Sequence, residues 1–433
     1  MIAFLPFLAV VLALLGAVHW YVWRRLVRDV TAPGGAARRA GTAVVVALPL
    51  FSVAALASGR ADAPFWFQRA VAWPGFLWLA LLLYVVLALL VGEAVRPVLH
   101  RVLARRAAAE PVAVAVSAPA PVPTAVSVPA SVPEGEPEQE SEGAAGAAVE
   151  AGPVAGAGVS RRLFVSRVVG GAAVAVAAGT VANGAYGVLR GPRVKRVTVP
   201  LAKLPRAAHG YRIAVVSDIH LGPILGRAHS QRIVDAINAT QPDLIAVVGD
   251  LVDGTVENLG PAAEPLAGLR ARHGSFFVTG NHEYFSGADA WVDHVRELGM
   301  RPLRNERLEI AAGFDLAGVD DVAGESEGQG PDFVRALGDR DRSRAAVLLA
   351  HQPVVIDDAV RHGVDLQLSG HTHGGQLWPG NLLAELANPT VAGLERYGDT
   401  QLYVSRGAGA WGPPVRVGAP SDITLVQLAS KQA

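Results

Sequence analysis

The sequence predicts an α/β domain preceded by about four transmembrane helices. Three observations carry this. Four long apolar stretches fall within the first 190 residues. From Tyr211 onward, short β-branched runs alternate with amphipathic segments, and the runs end in Asp, Asn or His. Finally, the 433 residues are 51% hydrophobic and only 18% charged, against about a quarter charged in soluble domains.

Ile2 to Trp23 is apolar and lacks Lys, Arg, Asp and Glu, Thr42 to Ser58 is uncharged, and Trp73 to Val95 carries only Glu93. Each approaches the ~20 residues that cross a bilayer core. Arg24, Arg25, Arg28, Arg38 and Arg39 fill the first connection, and Arg96, Arg101, Arg105 and Arg106 follow the third stretch. Lys and Arg gather on the cytoplasmic side, so these segments are expected inside. Trp20, Trp23, Trp66, Trp73 and Trp78 fall near the expected span ends, as interfacial belts require. Residues 1–106 thus form a three-helix transmembrane region. Residues 107–159 hold seven Glu, no base and recurrent Pro, the composition of a disordered linker.

Residues 160–190 hold the fourth stretch, Leu163 to Leu189, introduced by Ser160-Arg161-Arg162-Leu163-Phe164. Paired Arg before a weakly apolar segment resembles a twin-arginine export signal; a basic flank on a fourth helix is the alternative. Either way residues 200–433 are expected on the outer face of a multi-pass membrane protein. Arg190, Arg193, Lys195 and Arg196 argue against that side, although charge bias weakens before a long domain.

In the second half, YRIAVVSD, LIAVVGD, SFFVTGN, RAAVLLAHQP and VDLQLSGHTH read as strands, and His229 to Thr240 as a helix. Such alternation argues for an α/β domain, whose ligands bind beyond the carboxyl ends of strands. There stand Asp218, His220, Asp250, Asn281, His351, His371 and His373. Asp218/His220 and His371/His373 are i, i+2 pairs, which aim two groups one way if the chain is extended. Imidazoles, carboxylates and one amide suit Mn, Fe, Zn or Co. Seven donors exceed one tetrahedral site; two ions ~3.5–4 Å apart sharing a carboxylate would use them all. A hydroxide bridging such a pair attacks phosphate esters. With no cysteine in the chain, thiolate ligands and thiol nucleophiles are excluded.

In order and neighbours, these blocks (Asp218-Ile219-His220, Gly249-Asp250, Gly280-Asn281-His282-Glu283, His351, Gly370-His371-Thr372-His373) resemble the calcineurin-like metallophosphoesterases. With Gly374-Gly375-Gln376 and the apolar N-terminal half, the membrane-associated bacterial branch is the best match. The resemblance implies a four-layer α/β/β/α sandwich and a phosphoric ester hydrolase with two divalent metal ions. It assigns Asp218, His220, His373 and Asp250 to one ion, and Asn281, His351, His371 and the shared Asp250 to the other. His282 would bind no metal and would either give a proton to the leaving group or stabilise the phosphoryl oxygens. Membrane tethering, rather than the resemblance, suggests a lipid-linked phosphate or pyrophosphate or a cell-envelope polymer as substrate, beside phosphorylated small molecules; zero formal charge points away from nucleic acid.

Other residues carry plainer readings. Asp253 either orients His282 or caps a helix. Gly374 and Gly375 either admit a phosphate or make a turn. Arg406, His209, His229, His273, His294 and His362 are expected at the surface, Asp320-Asp321 in a solvated loop, and Leu377 to Gly393 in the core rather than against lipid. Two rivals exist: a receptor with a degenerate domain, disfavoured by complete blocks, and a transporter, disfavoured by spans nearly free of ionisable groups.

Overall fold

The computed structural model describes residues 4–61, 63–109 and 161–432. Most of the expected linker and Ser160 lie outside the described residues. Helix α1 (Phe4–Trp23) runs into a π-helical turn, Arg24–Arg28. Helix α2 (Ala36–Ser58) starts before the expected Thr42 and takes in Arg38 and Arg39. Arg38 Nη2 donates to the carbonyls of Arg28 and Thr31, both at 2.6 Å, and so fixes the turn between α1 and α2. Helix α3 (Phe65–Ala109) is longer than one span and passes through Pro74 and Pro97. Helix α4 (Arg161–Leu189) contains the apolar stretch that follows the paired Arg. These four helices are long and apolar enough to cross a membrane.

Packing among them explains two outliers. Glu93 accepts from Arg25 Nη2 at 2.6 Å and from Tyr21 Oη at 3.0 Å, so this acid in an apolar stretch is paired. Trp78 departs from the expected interfacial belt: it is buried and donates to His19 Nε2 at 3.1 Å.

The strands of the second half are β1 (Arg193–Leu201), β2 (Arg212–Val216), β3 (Leu244–Val248), β4 (Ser275–Val278), β5 (Arg301–Pro302) and β6 (Glu306–Ile310). There follow β7 (Phe314–Gly318), β8 (Ala346–Leu349), β9 (Leu366–Ser369), β10 (Gly393–Tyr397), β11 (Thr400–Val404) and β12 (Asp422–Ser430). They form two six-stranded sheets, ordered β1-β12-β2-β3-β4-β5 and β10-β11-β9-β8-β7-β6. All five runs read from sequence are strands, in parallel neighbours β2-β3-β4 and β8-β9.

Alternation within a strand builds the layers. Ile213 and Val215 of β2 face the core between the sheets, with Val248, Leu349 and Leu368. Ala214 and Val216 face the opposite way, under helices α5 (Arg227–Ala239), α6 (Val256–Ala263) and α8 (Ala288–Glu297) or their flanking loops, while the short α7 (Asn281–Ser286) follows β4. On the other sheet, Leu348 and Leu402 pack under α9 (Phe333–Leu337) and α10 (Ile356–Arg361). Burial on both faces is why these strands read as unbroken apolar runs. The result is the four-layer α/β/β/α sandwich, with β2, β3, β4, β8 and β9 all delivering their carboxyl ends to one rim.

Candidate metal centre

Each group of interest follows one of those strands. Asp218 and His220 follow β2, Asp250 follows β3, Asn281 follows β4, His351 follows β8, and His371 and His373 follow β9. Three triads have ligand atoms close enough to hold a cation: Asp218, His220, His373; Asp250, His351, His371; and His220, Asp250, His282. Asp250 belongs to two of them and stands between the others, with Oδ2 3.2 Å from His351 Nε2 and 3.7 Å from His220 Nε2. Asn281 joins through a 2.9 Å contact between its Oδ1 and His371 Nδ1. The structure therefore brings all seven sequence-selected groups, and His282, into one cluster.

The way they are aimed differs from the extended geometry expected of the i, i+2 pairs. Asp218, His220, His371 and His373 all take positive φ, between 48° and 73°, as does Asp250 at 53°. Non-glycine residues rarely adopt this region, and its strain gathers at functional sites. The left-handed turn at each member, not the pleat, directs both side chains of a pair inward.

Glycines make room for this crowding. A Cβ on Gly280 would collide with Asp250 Oδ1, and one on Gly370 with Asp218 Oδ2. The glycine before Asn281 and the one before His371 are thus needed because a ligand from the adjacent strand, or from the facing sheet, lies against them.

Partners fix the imidazoles. Asp253 Oδ1 accepts from His220 Nδ1 at 2.9 Å and lies 2.7 Å from His282 Nδ1. The N-cap position of α6 is Thr255, so Asp253 is no cap; it orients two rings. Burial pushes its carboxyl up, but His220 and His282 together hold it down at about 2. His351 Nδ1 donates to the Val248 carbonyl at 2.9 Å, leaving Nε2 buried, without a hydrogen bond, and directed at Asp250. A protein-bonded Nδ1 with a free Nε2 is how ligating imidazoles are held. That orphaned nitrogen, together with a hard–borderline donor set of imidazole, carboxylate and amide, fits divalent cations. Burial and the nearby His351 lower the pKa of His371 to about 4, so it is a neutral ring.

The arrangement places the chain among known proteins. Residues 211–375 match the family model described as calcineurin-like phosphoesterase. A transmembrane protein with metallophosphoesterase domain from Danio rerio is 40% identical over 56% of this chain and 58% of its own length. A metallophosphoesterase of Helicobacter pylori is 39% identical over 58% of this chain and 67% of its own length. One from Aquifex aeolicus is 36% identical over 55% of this chain and 92% of its own length. The chain belongs to the calcineurin-like phosphoesterase family. The match thus spans little more than half of the Danio rerio relative.

Several residues of this calcineurin-like site escaped sequence reasoning. Arg416, buried, donates to the His373 carbonyl and approaches His373 Nδ1, both at 3.0 Å, from 43 positions away, and no local pattern marks it. Ser217 donates to Asp218 Oδ2 at 2.5 Å and was visible only as a neighbour of the first block. Glu283 Oε2 accepts from the N–H of Gly280 (2.6 Å) and Asp250 (3.0 Å), and Oε1 from Leu251 (2.8 Å). It is a strut beneath the ligands.

Other readings need correction. His229 is buried rather than exposed. His273, His294 and His362 are half-buried, His273 stacking on Tyr211; His209 is exposed. Asp320 and Asp321 are buried, not solvated: Asp320 accepts from Arg304 Nε at 2.5 Å and Asp321 from Gln352 at 2.9 Å. Arg406 is half-buried. Gly374 and Gly375, at φ +61° and +81°, make a tight turn. Leu377 to Gly393 is a core segment only at its ends, where Leu377 packs against a hydrophobic cluster and Thr390 is buried, as α11 (Gly380–Ala387) within it buries no residue.

Proposed function

We propose that the chain is a membrane-anchored, binuclear metal-dependent phosphoesterase that hydrolyses phosphate esters or pyrophosphates. One observation carries the reading: Asp250 stands between a cluster of Asp218, His220 and His373 and a cluster of His351, His371 and Asn281. Those two clusters would each hold one divalent cation (Mn, Fe, Zn or Co), with Asp250 shared. Bound there, such cations supply Lewis acidity toward phosphoryl oxygens and a nucleophile near neutral pH.

The chain's own groups do the rest. Asp253 fixes the tautomer of His220 and turns its Nε2 inward. It also bonds His282 Nδ1, leaving the other ring nitrogen to hold a proton for the leaving-group oxygen. His282 is half-buried at the edge of the ligand cluster, in ring contact with Phe285 and Trp411, where a departing alcohol would exit. Residues 200–433 serve as the catalytic unit and 107–159 as linker. Arg161 and Arg162 serve as a twin-arginine export element, which places the catalytic unit outside the cytoplasm.

Hydrolysis of bis-p-nitrophenyl phosphate by the Mn-loaded full chain tests the reading. Activity is expected, with loss on EDTA treatment and return on adding Mn. Asp250→Asn is expected to abolish turnover; a variant that keeps most activity contradicts a shared ligand. Protease added to intact cells is expected to cleave the catalytic half, and full protection would place it inside.

A further inference from the structure

Helix α11 has an unusual position. Short helices in water are held by burying an apolar stripe, yet none of its residues is buried. Leu383 is 70% exposed and Leu386 85%, with Leu382 and the preceding Trp378 exposed beside them. An exposed aliphatic face with a tryptophan at its edge is a surface that something apolar covers.

Two observations say what covers it. Tyr84 Oη donates to the Trp378 carbonyl at 3.0 Å. Tyr84 is the middle residue of Trp73–Val95, about 16 Å along the axis from either end. Leu377 and Val417 also pack into the cluster that α3 and α4 form around Leu82, Val85 and Val181. With Trp73–Val95 taken as the span within the longer α3, the segment carrying α11 lies beside the membrane helices at the level of their apolar stretch, where the medium facing an unpartnered leucine face would be acyl chain.

The same segment is tied to the metal site. His373 leads through the Gly374-Gly375 turn to Gln376. The Gln376 side chain donates to the Trp411 carbonyl at 2.8 Å and accepts from the Trp411 N–H at 3.0 Å. The Trp411 ring in turn stands 5.8 Å from the His282 ring. The segment carrying α11 is therefore joined through Gln376 and Trp411 to His282 at the edge of the ligand cluster.

We propose that α11 and Trp378 form an interfacial element inserted in the lipid leaflet, so that the site opens to phosphate esters carried by membrane lipids. The substrate half of this rests on the phosphoesterase reading above; the leaflet contact does not.

The chain has no cysteine, which makes one labelled position unambiguous. Leu386→Cys and, as control, Asp339→Cys would each carry a thiol-reactive nitrobenzoxadiazole probe on the full chain in phosphatidylcholine vesicles. Asp339 is exposed beside Arg307 of β6, at the sheet edge opposite β10. The probe at 386 is expected to shift to the blue and to be quenched about twofold by brominated acyl chains, the control not at all. A water-like spectrum at 386 overturns the proposal. A blue shift without quenching by brominated lipid overturns it too, since it means protein covers the helix.

For the substrate half, Leu383→Asp with Leu386→Asp is expected to leave bis-p-nitrophenyl phosphate hydrolysis intact. The same variant is expected to lower hydrolysis of phosphatidic acid in the vesicles roughly tenfold or more. Equal effects on both, or a wild-type chain that cleaves the soluble diester but no phosphatidic acid, overturn lipid delivery and leave the phosphoesterase reading standing. A quenched probe on a chain inert toward either ester overturns the phosphoesterase reading and keeps the leaflet contact.

Discussion

Asp253 takes both Nδ1 contacts on one oxygen, Oδ1. Asp253→Asn keeps the shape but removes the charge that holds a proton on each ring, and partners of this kind are worth 10–100-fold in affinity or activity. Turnover of the soluble diester is therefore expected to fall by about that factor, measured beside bound metal; a change within about twofold contradicts the orienting role. His229 invites a pH test. Burial is the main cause, with Arg232 and Arg416 adding repulsion, of a pKa lowered to about 3, and neither ring nitrogen has a hydrogen bond. The unfolded chain takes up this proton below ~6.5, whereas the folded one stays neutral until about 3. Stability from this residue is complete above pH 6.5 and drains as pH falls, by roughly 1.4 kcal/mol per unit over the steep part. The apparent Tm of the detergent-solubilised chain is expected to drop between pH 7 and pH 5, and His229→Leu to flatten that drop relative to wild type. Parallel curves for the two proteins would show that the ring carries no such linkage.

At the scale of elements, the loops after β3 and β4 hold together through Glu283, whose carboxylate takes three backbone N–H groups. Glu283→Ala leaves those donors buried and unpaired, at roughly 1 kcal/mol or more each. For a domain of this size the total lowers Tm by roughly 6–12 °C, and a thermal melt of the variant, with metal present and absent, reads it. A melt unchanged from wild type would mean the loops are held by other bonds. How far these elements were legible follows from the same physics. Strands β2, β3, β4, β8 and β9 announced themselves because both faces are buried, leaving unbroken β-branched runs that end abruptly in polar ligands. Strands such as β6 (Glu306–Ile310) and β10 (Gly393–Tyr397) mix charge with apolar residues and show no such run. The ligands were legible as residues but not as conformations, since nothing in Asp218 or His371 signals positive φ. Arg416 was missed and His229 misjudged because their surroundings come from distant chain segments.

The whole molecule sets its candidate ligands across two sheets: Asp218, His220, Asp250 and Asn281 come from the first, and His351, His371 and His373 from the second. The core between the sheets, around Val215, Val248, Leu349 and Leu368, is apolar, so at the rim the two sheets meet through mutually crowded polar groups. His220 Nε2 faces His373 Nε2 at 3.0 Å, and Asp250 faces His351 across that same seam. Cations held by these residues would tie one sheet to the other and bind the folded form alone, because no unfolded chain gathers groups spread from 218 to 373. Binding must then appear as stability. At a free metal concentration 100 times Kd the gain is ~2.7 kcal/mol, or roughly 5–11 °C in Tm for a domain of this size. Titrating Mn into the EDTA-treated full chain is expected to raise Tm by about that much, and Asp250→Asn to lose most of the rise because both clusters share it. If Tm stays flat while Mn still binds, the ion sits elsewhere and the seam between the sheets is closed by protein contacts alone. If Asp250→Asn keeps the full rise, the clusters are independent and the shared-carboxylate arrangement fails, whatever the catalytic assays show.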